Sequence, residues 1–232
     1  MKLEDRILYA DMLECRRKKG KIYYEDSHGL LLESPKSHML YCAAENEASA
    51  KAVVAHLPSS FAILVAHDMY TDRFIQQQYH ITCELRCYHS AYIEKTLPQV
   101  KLPHGFTMQT LTEAYIPEII ALYKHSMPSL ATVEYIKECL NDDMFAVFDK
   151  EILCGFIGMH EEESIGLLEV KQEYQRKGIA TALLQRAVQS QMLKGRIPYG
   201  EIVEDNIISL QLQQKAGMKT SEKLTYWYFM EE

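Results

Sequence analysis

The sequence predicts an α/β protein of the α+β, mixed-sheet kind in two parts. These are a smaller α/β domain over residues 1–96 and a larger domain over 105–232, joined by a linker at 97–104. Three observations predict it. A content of 47% hydrophobic and 10% aromatic residues in a chain of 232 supplies a core and excludes a disordered polypeptide. Pro98, Pro103 and Gly105 interrupt any helix or central strand in the middle of the chain. Beyond them, segments of period 2 and period 3.6 follow one another in the order β-α-α-β-β-β-α-β-α-β.

The elements can be argued in order. Residues 4–17 read as a helix, and 21–24, 30–33 and 39–42 as short strands separated by turn residues. A helix is expected over 46–56, where Ala48, Lys51, Ala52 and Ala55 recur at helical spacing. Residues 61–65 are a buried-strand candidate, and 79–92 alternate as one long strand. After the linker, 106–111 is a strand, and 112–125 and 132–140 are helices. Residues 144–148, 152–160 and 165–170 form three successive strands. The helix at 178–193 sets Ala180, Leu183, Leu184, Ala187 and Val188 on one face. A strand at 199–203, a helix at 207–216 and a last strand at 224–229 complete the chain.

Bulk chemistry narrows the function. The net charge is −7, from 25 basic and 32 acidic residues, which disfavours a general nucleic-acid or anionic-membrane binder. The six cysteines are scattered without metal-ligand spacing, and Cys83 and Cys87 lie too far apart along a strand to share an ion easily. No metal is therefore expected. There is no apolar signal core and no run of about 18 apolar residues, so a cytoplasmic protein in a reducing compartment is expected.

One segment carries most of the chemistry: ESIGLLEVKQEYQRKGIA, residues 163–180. An apolar strand enters the basic turn Gln175-Arg176-Lys177-Gly178-Ile179-Ala180, which opens a helix. The first N–H groups of a helix lack intrahelical partners and carry partial positive charge, so they attract anions, phosphate above all. Gly178, lacking a Cβ, lets a ligand approach the backbone, and Arg176 and Lys177 add charge.

Gln175, Gly178 and Ala180 resemble the Q/R-x-x-G-x-G/A signature of the GNAT acyltransferase superfamily, whose members bind acetyl-CoA or another acyl-CoA. The element order over 105–232 is similar to the GNAT fold. Asn206 to Ser209, followed by Ala216-Gly217-Met218, resembles the family's N-x-x-S/A … G-F segment, although Asn206 also suits an ordinary helix N-cap. The layout and SIGLLEVKQEYQRKG look like the glycine N-acyltransferase-like branch, whose N-terminal half is a degenerate domain of the same kind.

The resemblance implies specific roles. Backbone groups around Leu168 and Val170 would pair with the pantetheine arm as an added strand. N–H groups from Gln175 to Thr181, through Arg176, Lys177, Gly178, Ile179 and Ala180, would hold the pyrophosphate. The thioester would sit near Leu168, and Asn206 would face the coenzyme. The family's base glutamate falls on Ser164, with Glu161, Glu162 and Glu163 beside it. A bulge at the strand start would present Glu163; an ordinary acidic turn is the alternative. The family's proton-donating tyrosine falls on Gln213, which can donate a hydrogen bond but not a proton. Tyr226 and Tyr228 are other possible donors, and Glu169 and His160 read as structural.

The expected activity is acyl-CoA-dependent N-acetyl transfer to a primary amine of a small molecule or amino acid, by direct attack. An acyl-CoA sensor that does not catalyse is the alternative. A nucleotide binder of another kind is disfavoured because GxxxxGK[ST] and G-x-G-x-x-G are absent. The acceptor pocket is expected around 126–132. The N-terminal half is expected either to roof that pocket or to supply a homodimer interface.

Overall fold

The computed structural model describes residues 1–81, 83–123 and 128–230. Its chain divides into two compact units. The first comprises residues 1–93, 201–210 and the segment from Lys219 onward; the second comprises 94–200 and 211–218. The linear division expected at 97–104 therefore sits close to the first crossing between units. It does not carry the return of two C-terminal segments to the first unit.

The first unit is built on a seven-stranded sheet. Its helices are α1 (Ala10–Arg17), α2 (Glu47–Ala55) and α3 (Met69–Tyr79). Its strands run β1 (Lys21–Glu25), β2 (Gly29–Glu33), β3 (Leu40–Ala44), β4 (Ile63–Ala66) and β5 (Leu85–Ala91), with β10 (Tyr199–Val203) and β11 (Lys219–Phe229) arriving from the end of the chain. The order is β1-β2-β3-β4-β11-β5-β10. β3 and β4 are parallel; β11 is antiparallel to both β4 and β5. Leu31, Leu40, Val53, Leu64, Ile75 and Tyr228 form one core cluster, and Met12, Leu30, Leu32, Tyr41 and Val65 another.

Three expectations for this unit need correction. α1 starts at Ala10, not at residue 4: Asp5 takes the N–H groups of Ile7 and Leu8 and holds the preceding residues in a turn. The helix expected over 46–56 is present as α2, with Ser49, Ala50, Val53 and Val54 buried and Ala48, Lys51 and Ala55 exposed. Helix α3 was not expected. It buries only Thr71 and Ile75, so its polar stretch carries little period, but Asp68 caps it by accepting from Tyr70 and Thr71. The long strand expected over 79–92 shortens accordingly to β5, and Thr82 lies outside the described residues.

The second unit carries an antiparallel sheet in the order β6 (Thr107–Thr110), β7 (Phe145–Asp149), β8 (Ile152–Met159) and β9 (Ile165–Val170). α4 (Ile116–Leu122) and α5 (Val133–Leu140) cover one face. Ile119, Ile136, Phe148, Phe156 and Leu167 form the core there. α6 (Ile179–Leu193) also packs on β7, β8 and β9 and buries Ile179, Ala182, Leu183, Leu184, Ala187 and Val188; Ala180 is half-buried. α7 (Ile207–Lys215) precedes β11. The segment read as a linker is docked: Gln189 donates to the Pro98 carbonyl at 2.7 Å, and the Lys101 N–H donates to Gln185 at 3.2 Å.

Gly155 marks a tight backbone contact between β8 and β9. A Cβ placed on it would stand 2.6 Å from the Glu169 carbonyl oxygen. Backbone cannot rotate away as a side chain can. Gly155→Ala is therefore expected to cost roughly 1–3 kcal/mol, measured by urea unfolding.

No helix among the described residues is long and apolar enough to cross a membrane. All six cysteines are free, Cys83 half-buried and the rest buried.

Candidate functional site

The site is built along β9. This strand ends its sheet, and no strand pairs its outer edge among the described residues. Gly158 pairs with Gly166 and Phe156 with Glu169, so Ile157 faces both Leu167 and Leu168. That two-against-one count is a β-bulge. Leu167 sits at φ 52, a conformation costly for a branched side chain and held here by its burial in the core. The bulge re-aims the backbone at Leu168, the residue expected beside the reacting centre.

The C-terminal end of β9 enters the basic turn. Gly178 caps α6 with φ 85, and Arg176 has φ 60. The Ala182 N–H closes on the Gly178 carbonyl at 3.1 Å. The N–H groups of Ile179, Ala180 and Thr181 therefore precede the first intrahelical donor, the Ala182 N–H. Ile179 is buried and anchors the helix start, while Gln175, Arg176 and Lys177 are exposed. Gln175 donates through Nε2 to the Val170 carbonyl at 3.0 Å, tying the turn to the strand. Lys177 Nζ lies 4.9 Å from the Tyr174 ring centroid. A Cβ on Gly178 would meet only Pro103, at 3.6 Å. Its αL conformation, more than crowding, is what favours glycine.

The N-terminal end of β9 gathers proton-handling groups. The His160 and Ser164 backbones close a tight turn, with the His160 N–H donating to the Ser164 carbonyl at 2.9 Å. Glu163 adopts φ 80 there, and its carboxylate pairs with Arg196 Nη2 at 3.2 Å. Ser164 is fully buried and donates to Glu162 Oε1 at 2.7 Å. The Tyr199 hydroxyl donates to the Glu162 carbonyl at 2.9 Å. Tyr135 Oη and His160 Nδ1 are 2.5 Å apart. Burial, and then the Glu162 charge, push the Tyr135 phenol well above its usual range. A Cβ on Gly166 would collide with the His160 ring, so this glycine gives the ring its place.

Glu162, Ser164, His160 and Tyr135 thus form one cluster, and Glu163 belongs to another. Arg196, only 18% exposed, joins Glu163 to Asp142 at 2.5 Å and to Gln191 at 3.2 Å. Arg196→Met is expected to cost about 2 kcal/mol in urea unfolding, because it strips charge-assisted hydrogen bonds from groups that stay in place. A shallow cavity of about 460 Å³ beside the first cluster is lined by Thr132, Glu134, Tyr135, Lys137, Glu138 and Glu161. Of the acceptor segment expected at 126–132, Ser126 and Met127 lie outside the described residues.

Gln213 is 7% exposed, and its Oε1 has no hydrogen-bond partner among the described residues. Its Nε2 lies 3.8 Å from where a Gly200 Cβ would stand, and that Cβ would be 2.7 Å from the Ile165 carbonyl. The Gly200 backbone therefore lies close to the Ile165 carbonyl. Asn206 caps α7, accepting from the Ser209 N–H at 3.0 Å. The cluster of His160 and Tyr135 was not anticipated. Its members are 25 residues apart, and their only local signal is a histidine at a strand end.

Comparison with known proteins bears on the fold. Residues 112–206 match the family described as an acetyltransferase (GNAT) domain. The fold is similar to that of a solved Drosophila protein, with a TM-score of 0.62, 12% identity and coverage of 87% of this chain and 74% of that one. It is similar to a GCN5-related N-acetyltransferase from Kribbella flavida, with a TM-score of 0.58, 11% identity and coverage of 98% and 95%. It is also similar to a GCN5-related N-acetyltransferase-like protein from Streptococcus suis, with a TM-score of 0.54, 15% identity and coverage of 97% and 96%. The chain thus has a mixed α/β, GNAT-like fold. No curated protein matches it.

Proposed function

We propose that this GNAT-like chain is an acyl-CoA-dependent N-acetyltransferase that acylates a primary amine of a small molecule or amino acid by direct attack. The observation that carries the reading is the bulged free edge of β9, which runs straight into the αL glycine at the start of α6. An extended thioester arm fits the edge by backbone pairing at Leu168 and Val170. Its pyrophosphate fits the N–H groups from Arg176 to Thr181, with Arg176 and Lys177 adding charge. β9 spans roughly 17 Å at about 3.3 Å per residue, which separates the anion turn from the proton-handling cluster.

The chemistry needs a neutral amine, because an alkylammonium has no lone pair to attack with and its pKa is near 10. Glu162 is the base that the geometry favours, with its carboxylate oriented by Ser164. Glu163 is held by Arg196. The amine nitrogen bonds to the thioester carbon, the C–S bond breaks, and the amine proton passes to the base. Backbone N–H groups at the Leu167 bulge stabilise the oxyanion. Gln213 donates a hydrogen bond to the departing thiolate, which takes its proton from water. The acidic lining around Glu134, Glu138 and Glu161 suits a cationic amine before it is deprotonated. Within the superfamily, we assign the glycine N-acyltransferase-like branch on the SIGLLEVKQEYQRKG segment.

One observation favours a second reading. Gln213 stands where a proton donor is expected, which fits an acyl-CoA sensor without turnover. Thiol release from acetyl-CoA against a panel of amino acids, polyamines and peptide amines separates the two. Acceptor-dependent release supports the transferase. Micromolar CoA binding with no release under any acceptor supports the sensor.

A further inference from the structure

Within the first unit, three ligand-bearing side chains from separate elements converge. Asp11 comes from α1, His67 directly follows β4, and His89 lies on β5. None is more than 1% exposed. Both Asp11 carboxylate oxygens lie 2.9 Å from His67 Nε2, and Oδ2 lies 3.7 Å from His89 Nε2. The candidate ligand atoms all fall within 4.8 Å of one another.

The hydrogen-bond pattern around His67 is specific. Its Nδ1 is 3.0 Å from the Cys42 carbonyl, which can only accept, so Nδ1 carries a hydrogen. Nε2 then faces two carboxylate oxygens. A bare lone pair there would oppose two acceptors, so a positive charge stands between them, either a proton or a metal ion. A proton accounts for His67 and Asp11 alone. It gives no reason for a second imidazole edge-on to the first, at 5.4 Å and 83°, with Nε2 toward the same carboxylate. A carbonyl holding the far nitrogen of a ligand histidine is the usual support of a metal site.

We propose that Asp11, His67 and His89 bind a divalent transition-metal ion, with Zn²⁺ the matching ion. Tetrahedral zinc with bonds of about 2.0–2.1 Å sets its ligands roughly 3.3 Å apart, and the observed 2.9 and 3.7 Å bracket that edge. Two imidazoles disfavour calcium and magnesium, which take oxygen ligands. A water or hydroxide completes the fourth position. The site is sealed from solvent, so the ion loads as the unit folds and ties α1 to β4 and β5. This departs from the absence of metal expected from cysteine spacing, because the three ligands share no local motif.

The test uses the full chain without a polyhistidine tag. Metal content is measured by mass spectrometry, and the protein is refolded with Co²⁺ or Zn²⁺ after unfolding in chelator. About one equivalent of retained metal, a four-coordinate Co²⁺ absorption band and a higher Tm with Zn²⁺ are expected. His89→Gln is expected to weaken Zn²⁺ binding by roughly 100-fold or more, since even outer-shell changes cost about 10–100-fold. Wild-type protein that folds fully in chelator, retains no metal and gives no Co²⁺ band would overturn the proposal, and a proton would then bridge Asp11 and His67. Unchanged affinity in folded His89→Gln would overturn it equally. Should that variant fail to fold, the wild-type stoichiometry and Co²⁺ spectrum decide.

Discussion

Gly178→Glu is expected to weaken acetyl-CoA binding by roughly 100-fold while the protein stays folded, measured by calorimetry beside circular dichroism. Two effects combine. A carboxylate at the start of α6 opposes the pyrophosphate where the N–H groups now attract it. At about 4 Å and an effective dielectric near 20, that repulsion reaches about 4 kcal/mol, and solvent at this half-exposed turn reduces it to near 3. At 1.4 kcal/mol per decade, this corresponds to about two decades of affinity. The second effect is conformational: Gly178 sits at φ 85, where most L side chains, Asn and Asp excepted, cost roughly 1–2 kcal/mol.

Two variants separate these effects. Gly178→Ala carries the conformational cost without the charge and should lower stability by about 1 kcal/mol, with a smaller loss of affinity. Gly178→Asn tolerates αL and should bind nearly as wild type does. The space is there in every case, since a Cβ meets only Pro103 at ordinary contact. Equal affinity for Gly178→Glu and wild type would remove the anion site from α6.

Legibility in the sequence followed physical locality. β9, β10 and the start of α6 were readable almost to the residue, because alternation, an apolar stripe and a glycine at the junction are all local signals. The face of α2 was not. Alanines at helical spacing mark a helix without saying which side a sheet will cover, and the sheet covers Val53 and Val54. The strained Leu167 was invisible, since leucine carries no preference for αL and only the pairing of β9 with β8 imposes it. Long-range closure was equally hidden. Nothing local says that β11 inserts between β4 and β5, or that Asp11 meets a histidine 56 residues away. The turn at 175–180, contained in a single segment, was the part of the candidate site whose backbone the sequence exposed most fully.

Glu162→Gln is the variant expected to damage turnover most. It should lower kcat by about 100- to 10,000-fold, the usual contribution of a positioned base, with acetyl-CoA affinity nearly unchanged. The argument rests on what holds each carboxylate of the 161–163 run. Glu163 faces Arg196, a cation whose contact withdraws its lone pairs from other use. Glu163→Gln should therefore act on stability more than on rate. Glu162 accepts at Oε1 from Ser164, a neutral donor that orients the carboxylate. After burial, its charge is what raises the Tyr135 phenol, and Tyr135 pairs with His160 and lines the cavity with Glu161. Ser164→Ala should fall between the two, lowering kcat through loss of orientation while the pH profile keeps its shape. If Glu162→Gln retains wild-type kcat while Glu163→Gln loses it, the base is Glu163, freed from Arg196 when substrate binds. If both variants retain it, the proton leaves through His160 and Tyr135, and His160→Gln becomes the variant that stops the reaction.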